Sequence, residues 1–212
     1  MTIEDPVEYA MDHVQQTQVN EKKKLTFATG LRSIVRQDPD IIMVGEIRDK
    51  ETADIAVNAA MTGHLVLSTL HSNDAATTFP RLAEMGVEPF LIASSVNIII
   101  AQRLTRKICH KCKTNYFLDP DEVALLNAEP ELAKIIKRLS GKKEIEKIRF
   151  YRGSDSTCEV CGGTGYSGRI GIFEVMEVSE HLRVLISGKA SADVITKTAQ
   201  EEGMKTMLED GV

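Results

Sequence analysis

The sequence predicts an α/β fold in which a parallel sheet, flanked by helices, occupies residues 1–107. Two continuous apolar runs rich in β-branched residues, Ile41–Val44 and Leu65–Leu70, have the length and composition of strands buried on both faces. Between them, Asp49–Met61 has the apolar spacing of a helix, and Gly63 follows where it can end that helix. Strands that alternate with helices in this way are typical of a parallel sheet.

A further helix is predicted before these elements. Thr26 can cap its N-terminus, and the helix must end by Asp38, because the residue before Pro39 disfavours helical geometry. Its predicted inner face consists of four apolar residues: Phe27, Leu31, Ile34 and Val35.

The rest of the chain divides into two regions. Residues 108–168 contain both CxxC pairs, separated by a charged insert. Residues 169–212 begin with a predicted strand, Ile170–Met176, and continue as helices. In this last region two serines are predicted as helix caps and two glycines as helix stops: Ser179, Ser191, Gly188 and Gly203.

Composition and charge argue against some classes of protein. The chain of 212 residues is 42% hydrophobic, which is enough for a sizeable core. Its longest apolar runs fall far short of the roughly 20 residues that span a bilayer, and no secretory signal precedes them. We therefore expect a soluble protein whose membrane association needs a partner. A formal net charge of −5 argues against nucleic acid as the main ligand.

The cysteines form two pairs with the spacing of metal ligands: Cys109, Cys112, Cys158 and Cys161. Two residues between the thiolates of a pair let both reach one ion, and two pairs complete a tetrahedral zinc site. Four sulfur ligands leave no open position, so the zinc is predicted to be structural. There are three alternatives: redox activity, structural disulfides, and a zinc site in which His110 replaces one cysteine as a ligand.

Three polar segments follow the predicted strands, where open α/β sheets bind their ligands. They contain Glu4, Glu46 and His71. The strand that ends in Gly45-Glu46 resembles the second nucleotide-binding motif of nucleoside triphosphatases, in which an acid reaches Mg²⁺ or orients the attacking water. Gly45 stands where such motifs hold the metal-binding aspartate, which leaves Glu46 to act. Taken alone, the pattern also fits a strand followed by an ordinary turn.

Several motifs occur together in one order: Glu4-Asp5-Pro6, Gly45-Glu46-Ile47-Arg48-Asp49, and the segment from His64 to Asp74. They resemble the acidic box, the second nucleotide motif and the histidine box of the type II secretion and type IV pilus assembly ATPases. The resemblance implies a RecA-like P-loop NTPase core with a small tetracysteine zinc subdomain. It also implies ATP with Mg²⁺, a cytoplasmic homo-hexamer and contact with an inner-membrane platform of the secretion or pilus machine.

The resemblance implies roles for the acids and the histidines. Glu46 is expected to contact Mg²⁺ or its water and Glu4 to activate the hydrolytic water, while Asp5 and Glu8 support the pocket. His71 is expected to sense the phosphate. The strand between the two histidines holds His64 roughly 20 Å from His71, so His64 is expected to face another subunit or to orient a loop.

Arginines complete the predicted nucleotide site. Arg32 and Arg36 lie four residues apart and share one helix face. The resemblance implies that they stabilise charge on the γ-phosphate at a subunit boundary. Arg48 is the weaker candidate, because an ion pair with Glu46 or Asp49 would serve the structure equally well.

The phosphate-binding loop, Gly-x-x-x-x-Gly-Lys-Ser/Thr, does not occur in the sequence. In the family this loop precedes the acidic box, so the resemblance implies a fragment of a longer ATPase that is inactive alone. The four cysteines are typical of the assembly and secretion branch rather than of retraction ATPases. Two alternatives of other classes are a zinc-dependent interaction module and a metallohydrolase that uses His64 and His71.

Overall fold

The structure is a computed structural model that describes residues 1–153 and 157–212. The chain divides into two compact units. The first comprises Met1–Ile100 and Val175–Met204, and the second comprises Ala101–Glu174 and Lys205–Val212. The predicted boundaries after residues 107 and 168 stay predictions.

The described residues form strands and helices in the following order. The strands are β1 (Thr2–Glu4), β2 (Gln16–Gln18), β3 (Ile41–Val44), β4 (Leu65–Ser68), β5 (Ile98–Ile108), β6 (Lys113–Tyr116), β7 (Phe150–Gly153) and β8 (Tyr166–Glu177). The helices are α1 (Phe27–Val35), α2 (Lys50–Met61), α3 (Thr78–Glu84), α4 (Pro89–Ser95), α5 (Pro120–Asn127), α6 (Pro130–Ser140), α7 (Glu180–Ser187), α8 (Ala192–Glu201) and α9 (Met207–Gly211). Two short 3₁₀ turns occupy Glu21–Lys23 and Ile145–Lys147.

A parallel sheet forms the centre of the first unit. Its strands lie in the order β2-β1-β3-β4, and each neighbouring pair is parallel. Ile3, Ile42 and Val44 are fully buried in this sheet. This arrangement confirms the predicted α/β class.

Both predicted helices of this region are present. Thr26 caps α1 by accepting the Thr29 backbone N–H at 3.2 Å, and Asp49 caps α2 by accepting the Thr52 backbone N–H at 2.8 Å. The helix α1 ends at Val35, before Asp38, as predicted. Of the residues predicted for its inner face, Leu31 and Ile34 are buried.

The prediction that β4 is buried on both faces is wrong. Leu65 and Leu67 remain 54% and 50% exposed, because β4 is the edge strand of the sheet in the described chain. Ile41, beside Leu65 on the neighbouring strand, is 49% exposed as well. β4 also ends at Ser68 rather than at the predicted Leu70.

The C-terminal part of the chain agrees with the predicted caps and stops. Ser179 and Ser191 precede α7 and α8 as N-cap residues, Gly188 ends α7, and Gly203 follows α8 with a φ of 107°. The predicted strand Ile170–Met176 is longer, since β8 begins at Tyr166 and pairs with β5.

The second unit contains a small core of its own. The helices α5 and α6 bury five apolar residues together with the following segment: Val123, Ala133, Ile136, Ile145 and Ile148. Phe150 of β7 packs against this cluster, and β7 pairs with β6 in an antiparallel ladder. The described part of the charged insert between the two cysteine pairs therefore folds into β6, α5, α6 and β7.

Arg183 of α7 caps the end of α4. Its guanidinium donates hydrogen bonds to the carbonyl oxygens of Ala93 and Val96 and to the side-chain oxygen of Asn97. Helix ends leave such carbonyls without an internal partner, so this single side chain satisfies several acceptors.

Arg183→Met keeps the aliphatic stem but removes these donors. We expect it to lower the free energy of unfolding by about 2 kcal/mol, the range for hydrogen bonds from charged groups. Urea unfolding measures the change. Arg81→Met, which removes an exposed i,i+3 ion pair with Glu84, is the matched control and is expected to change the stability little. Equal effects of the two substitutions would contradict the capping role.

Among the described residues, no helix has both the length and the apolar composition that crossing a bilayer requires.

Candidate active site and metal centre

Three predicted site residues lie at one edge of the sheet. Glu4 is the last residue of β1, Glu46 follows β3, and His71 follows β4. Because these strands are parallel neighbours, their carboxyl ends meet at the same edge.

Glu46 is the centre of a charged cluster. Its Oε2 lies 2.5 Å from Nε of Arg48 and 3.5 Å from Nε2 of His71. The Glu46 side chain is 13% exposed, whereas that of His71 is 88% exposed. The Glu46 carboxylate is therefore largely buried, whereas the His71 imidazole is open to a ligand in solution.

The loop that carries Glu46 is fixed to the end of β4. The Thr69 hydroxyl donates to the Gly45 carbonyl at 2.6 Å, and the Ile47 backbone N–H donates to the Thr69 carbonyl at 3.0 Å. These two bonds hold the segments after β3 and β4 together.

The backbone of β1 approaches Gly45 closely. A Cβ built on Gly45 would lie 3.2 Å from the Ile3 carbonyl oxygen and 3.3 Å from the Glu4 Cα. Both contacts are to backbone, which cannot move aside as a flexible side chain can. A side chain at this position would press β1, and Glu4 with it, away from β3.

Gly45→Ala is therefore expected to displace β1 and to lower the free energy of unfolding by about 1–3 kcal/mol, the range for overpacking a close contact. Urea unfolding measures the effect. Gly211→Ala is the control, because a Cβ there would meet side-chain atoms of Ile172 at the ordinary contact distances of 3.4 Å and 3.6 Å. A wild-type free energy of unfolding in Gly45→Ala would show that the close approach is unimportant.

Glu4 is buried, with 8% of its surface exposed. Its Oε1 accepts hydrogen bonds from the Thr2 hydroxyl at 2.5 Å and from Nε2 of Gln16 at 3.0 Å. Sequence reasoning missed both donors, because a polar strand such as Gln16–Gln18 has no apolar pattern to reveal it.

Among the described residues, the other predicted acids and His64 make no hydrogen bond or ion pair with Glu46. Asp5 and Glu8 are exposed on the loop that follows β1. His64 precedes β4, at the opposite end of that strand from His71, and its Nδ1 lies 3.0 Å from the Ala59 carbonyl oxygen at the end of α2. The two histidines are therefore not brought together, which argues against a metallohydrolase site built on both.

Arg32 and Arg36 lie near the C-terminal end of α1. Arg32 is exposed and forms an ion pair with Glu51 of α2. Arg36 is the C-cap of α1, and the chain then enters the amino end of β3, whereas Glu46 follows the carboxyl end. Within the described part of the chain, no hydrogen bond or ion pair joins either arginine to Glu4, Glu46 or His71.

The four cysteines lie together in the second unit. Their sulfur atoms are all within 4.8 Å of one another, and the Sγ atoms of Cys112 and Cys161 are 3.7 Å apart. A tetrahedral zinc with Zn–S bonds of about 2.3 Å requires sulfur separations of about 3.8 Å, so the set fits zinc. The cysteines form no disulfide.

The environment of Cys161 favours the thiolate. Burial raises the pKa of this thiol, but hydrogen bonds from the Gly165 backbone and from the neighbouring thiols outweigh it and lower the pKa from 9.0 to about 7. A thiolate is the form that binds a metal ion.

A close backbone contact that the sequence did not predict joins β7 to the cysteine region. A Cβ on Gly153, at the end of β7, would lie 2.1 Å from the Gly165 carbonyl oxygen. That oxygen accepts the Cys109 backbone N–H at 2.9 Å. The two glycines therefore let β7 approach the segment that holds the cysteine pairs together.

A family model described as Type II/IV secretion system protein matches residues 1–212. The chain belongs to this family. The fold described above is thus that of a type II/IV secretion system protein, and the predicted family is confirmed.

Two relatives show how much of a family member the chain represents. PilB of Thermus thermophilus, a type IV pilus assembly ATPase, is 49% identical over 211 residues, which are 100% of the chain and 22% of PilB. Type II secretion system protein E of Pseudomonas aeruginosa is 46% identical over 211 residues, which are 100% of the chain and 39% of that protein. The chain thus spans well under half the length of either relative.

Solved structures of related ATPases share the fold. The pilus retraction motor PilT with bound ADP matches 99% of the chain and 50% of its own, with a TM-score of 0.57 and 26% identity. The Legionella pneumophila ATPase DotB matches 99% of the chain and 45% of its own, with a TM-score of 0.61 and 22% identity. These matches confirm the predicted RecA-like α/β fold.

Proposed function

We propose that the chain forms most of the ATP-hydrolysing site of a motor ATPase that powers assembly of a type II secretion pseudopilus or a type IV pilus. The observation that carries this proposal is the meeting of Glu4, Glu46 and His71 at the carboxyl ends of three adjacent strands. In this proposal the phosphate-binding loop belongs to another part of a longer polypeptide, and the chain alone does not turn over ATP.

Each strand-end residue has a role in hydrolysis. Glu46 offers the carboxylate oxygen that Mg²⁺ or its bound water prefers, and bound Mg²⁺ neutralises charge on the β- and γ-phosphates. Glu4 orients the attacking water and accepts its proton. His71, exposed and 3.5 Å from Glu46, donates a hydrogen bond to the γ-phosphate when that group is bound. Asp5 and Glu8 support the rim of the pocket.

The arginines act between copies of the chain. Because Arg32 and Arg36 make no hydrogen bond or ion pair with Glu46 in the described part of their own chain, we assign them to the site of a neighbouring subunit. An arginine supplied in this way accelerates phosphoryl transfer by about 10³ to 10⁵. His64 orients the loop between α2 and β4. Arg48 holds Glu46 in place until a ligand competes for it.

Assembly and location follow from the same proposal. The polypeptide works as a cytoplasmic homo-hexamer that reaches the inner membrane through a platform protein, and it does not use nucleic acid. Cys109, Cys112, Cys158 and Cys161 hold a structural Zn²⁺ that stabilises the second unit.

Phosphate release from ATP tests this function. The polypeptide with its phosphate-binding loop is compared with its Glu4→Gln variant, which is expected to bind ATP and to hydrolyse it at least about a hundredfold more slowly, the range for loss of a general base. Glu88→Gln, at the exposed start of α4, is the control. Unchanged hydrolysis by Glu4→Gln would remove Glu4 from the mechanism.

A further inference from the structure

Gln16 is the residue through which the loop after β1 contacts Glu4. It lies on β2, half-buried, and its side-chain amide makes three hydrogen bonds. Nε2 donates to Oε1 of Glu4 at 3.0 Å and to the Tyr9 carbonyl at 3.0 Å, and Oε1 accepts the Met11 backbone N–H at 2.8 Å.

The loop determines which end of the amide faces the acid. The Met11 N–H can be satisfied only by the amide oxygen, and the Tyr9 carbonyl only by the amide nitrogen. With both ends assigned, the nitrogen is the atom presented to Glu4. The reversed amide would place an oxygen against the carboxylate and would lose all three bonds.

The hydrogen bonds to Glu4 converge on one oxygen. Among the residues that the structure describes, the side-chain donors to Glu4, Thr2 and Gln16, both reach Oε1. A carboxylate held by two donors at one oxygen cannot rotate freely, so its second oxygen keeps a constant direction. Such fixed orientation is what a group that activates water requires.

We propose that Gln16 is a positioning residue that orients the Glu4 carboxylate toward the hydrolytic water. Because Gln16 also bonds to Tyr9 and Met11, this orientation depends on the conformation of the loop at residues 5–15. The proposal rests on the proposed role of Glu4 in hydrolysis. Tyr9 is 81% exposed, so the loop end that Gln16 contacts is accessible to a ligand or a neighbouring subunit. A displacement of this loop removes two of the three bonds that orient the amide.

Two substitutions of Gln16 distinguish a role in orienting Glu4 from a role in stabilising the loop. Gln16→Ala removes every bond of the amide. Gln16→Glu keeps the shape and the acceptor for Met11 but replaces the donor to Glu4 with a negatively charged oxygen. In the ATP-hydrolysing polypeptide, we expect kcat to fall about tenfold in Gln16→Ala, the effect of one lost hydrogen bond to a charged group, and at least as far in Gln16→Glu. The KM for ATP is expected to stay within about twofold, because a residue that acts only through the orientation of Glu4 leaves ground-state binding unchanged.

Gln15→Ala is the matched control, because Gln15 is the adjacent glutamine and its side chain is exposed. It is expected to keep the wild-type kcat. Adding Gln16→Ala to Glu4→Gln is expected to lower kcat no further, since a residue that acts through Glu4 has no effect without it.

Distinct results would overturn the inference. A wild-type kcat in Gln16→Glu, with Glu4→Gln inactive, would overturn the positioning role and leave the proposed function intact. A rise in KM without a fall in kcat would show that Gln16 serves binding instead. A wild-type kcat in Glu4→Gln would remove both the role of Glu4 and the inference that depends on it.

Discussion

Replacing Glu46 with glutamine is expected to lower ATP turnover by about two to three orders of magnitude, the range for loss of a group that stabilises charge in the transition state. The amide has nearly the same shape as the acid, and at 13% exposure the side chain stays within the same surroundings. What is lost is the charge that Mg²⁺ and its water prefer. Single-turnover phosphate release and a separate measurement of ATP binding distinguish lost chemistry from lost affinity.

The matched control for this substitution is Glu84→Gln, which changes an acid that is 67% exposed and paired with Arg81 on α3. Surface ion pairs of this kind contribute little, so turnover and stability are expected to stay near the wild-type values. The role of Glu46 is contradicted if its glutamine variant hydrolyses ATP within about twofold of the wild-type rate.

Cys161→Ser is expected to reduce bound zinc from about one ion per chain to almost none, because a tetrathiolate site that loses one ligand can no longer close around the ion. Zinc binding supplies folding free energy, on the order of 10 kcal/mol in small zinc domains. Apart from the four cysteines, the described residues of the second unit include a small apolar cluster, so loss of zinc is expected to shift the thermal unfolding of this unit to a markedly lower temperature. Metal analysis and calorimetry provide the two readouts.

Val160→Thr is the control, since it alters the exposed residue between Cys158 and Cys161 at nearly constant volume and removes no ligand. His110→Ala tests the alternative in which the histidine replaces a cysteine. Both are expected to retain the zinc. The structural role would be refuted by a Cys161→Ser variant that holds a full equivalent of zinc against a chelator.

The elements of the first unit could be predicted where local signals were strong. Ile41–Val44 and the capped helix at Asp49 combine an apolar run with clear end signals, and both are present in the structure. β4 had the same apolar signal, but no local pattern distinguishes a central strand from the edge strand that it forms here. Whether a face is covered depends on strand order, which is a property of the whole sheet.

The site could be predicted only in part. That Glu4, Glu46 and His71 lie at one edge of the sheet could be predicted because they follow strand ends, and the clustering of the cysteines because their spacing is specific. Gln16 contacts Glu4 across a loop, and Gly153 contacts Gly165 across the chain, so both depend on proximity that no short motif records. The connection from α1 to β3 likewise separates Arg36 from Glu46 in a way that only the fold reveals.

Glu46 and His71 are neighbours with unequal exposure to solvent. The segment of Glu46 is secured on one side by Thr69 and on the other by the Asp49 cap of α2, whose partner Thr52 is fully buried. His71 lies outside this enclosure and is 88% exposed. A spectroscopic label placed beside His71 should therefore respond when a ligand occupies this edge of the sheet, while one placed on α2 serves as its reference.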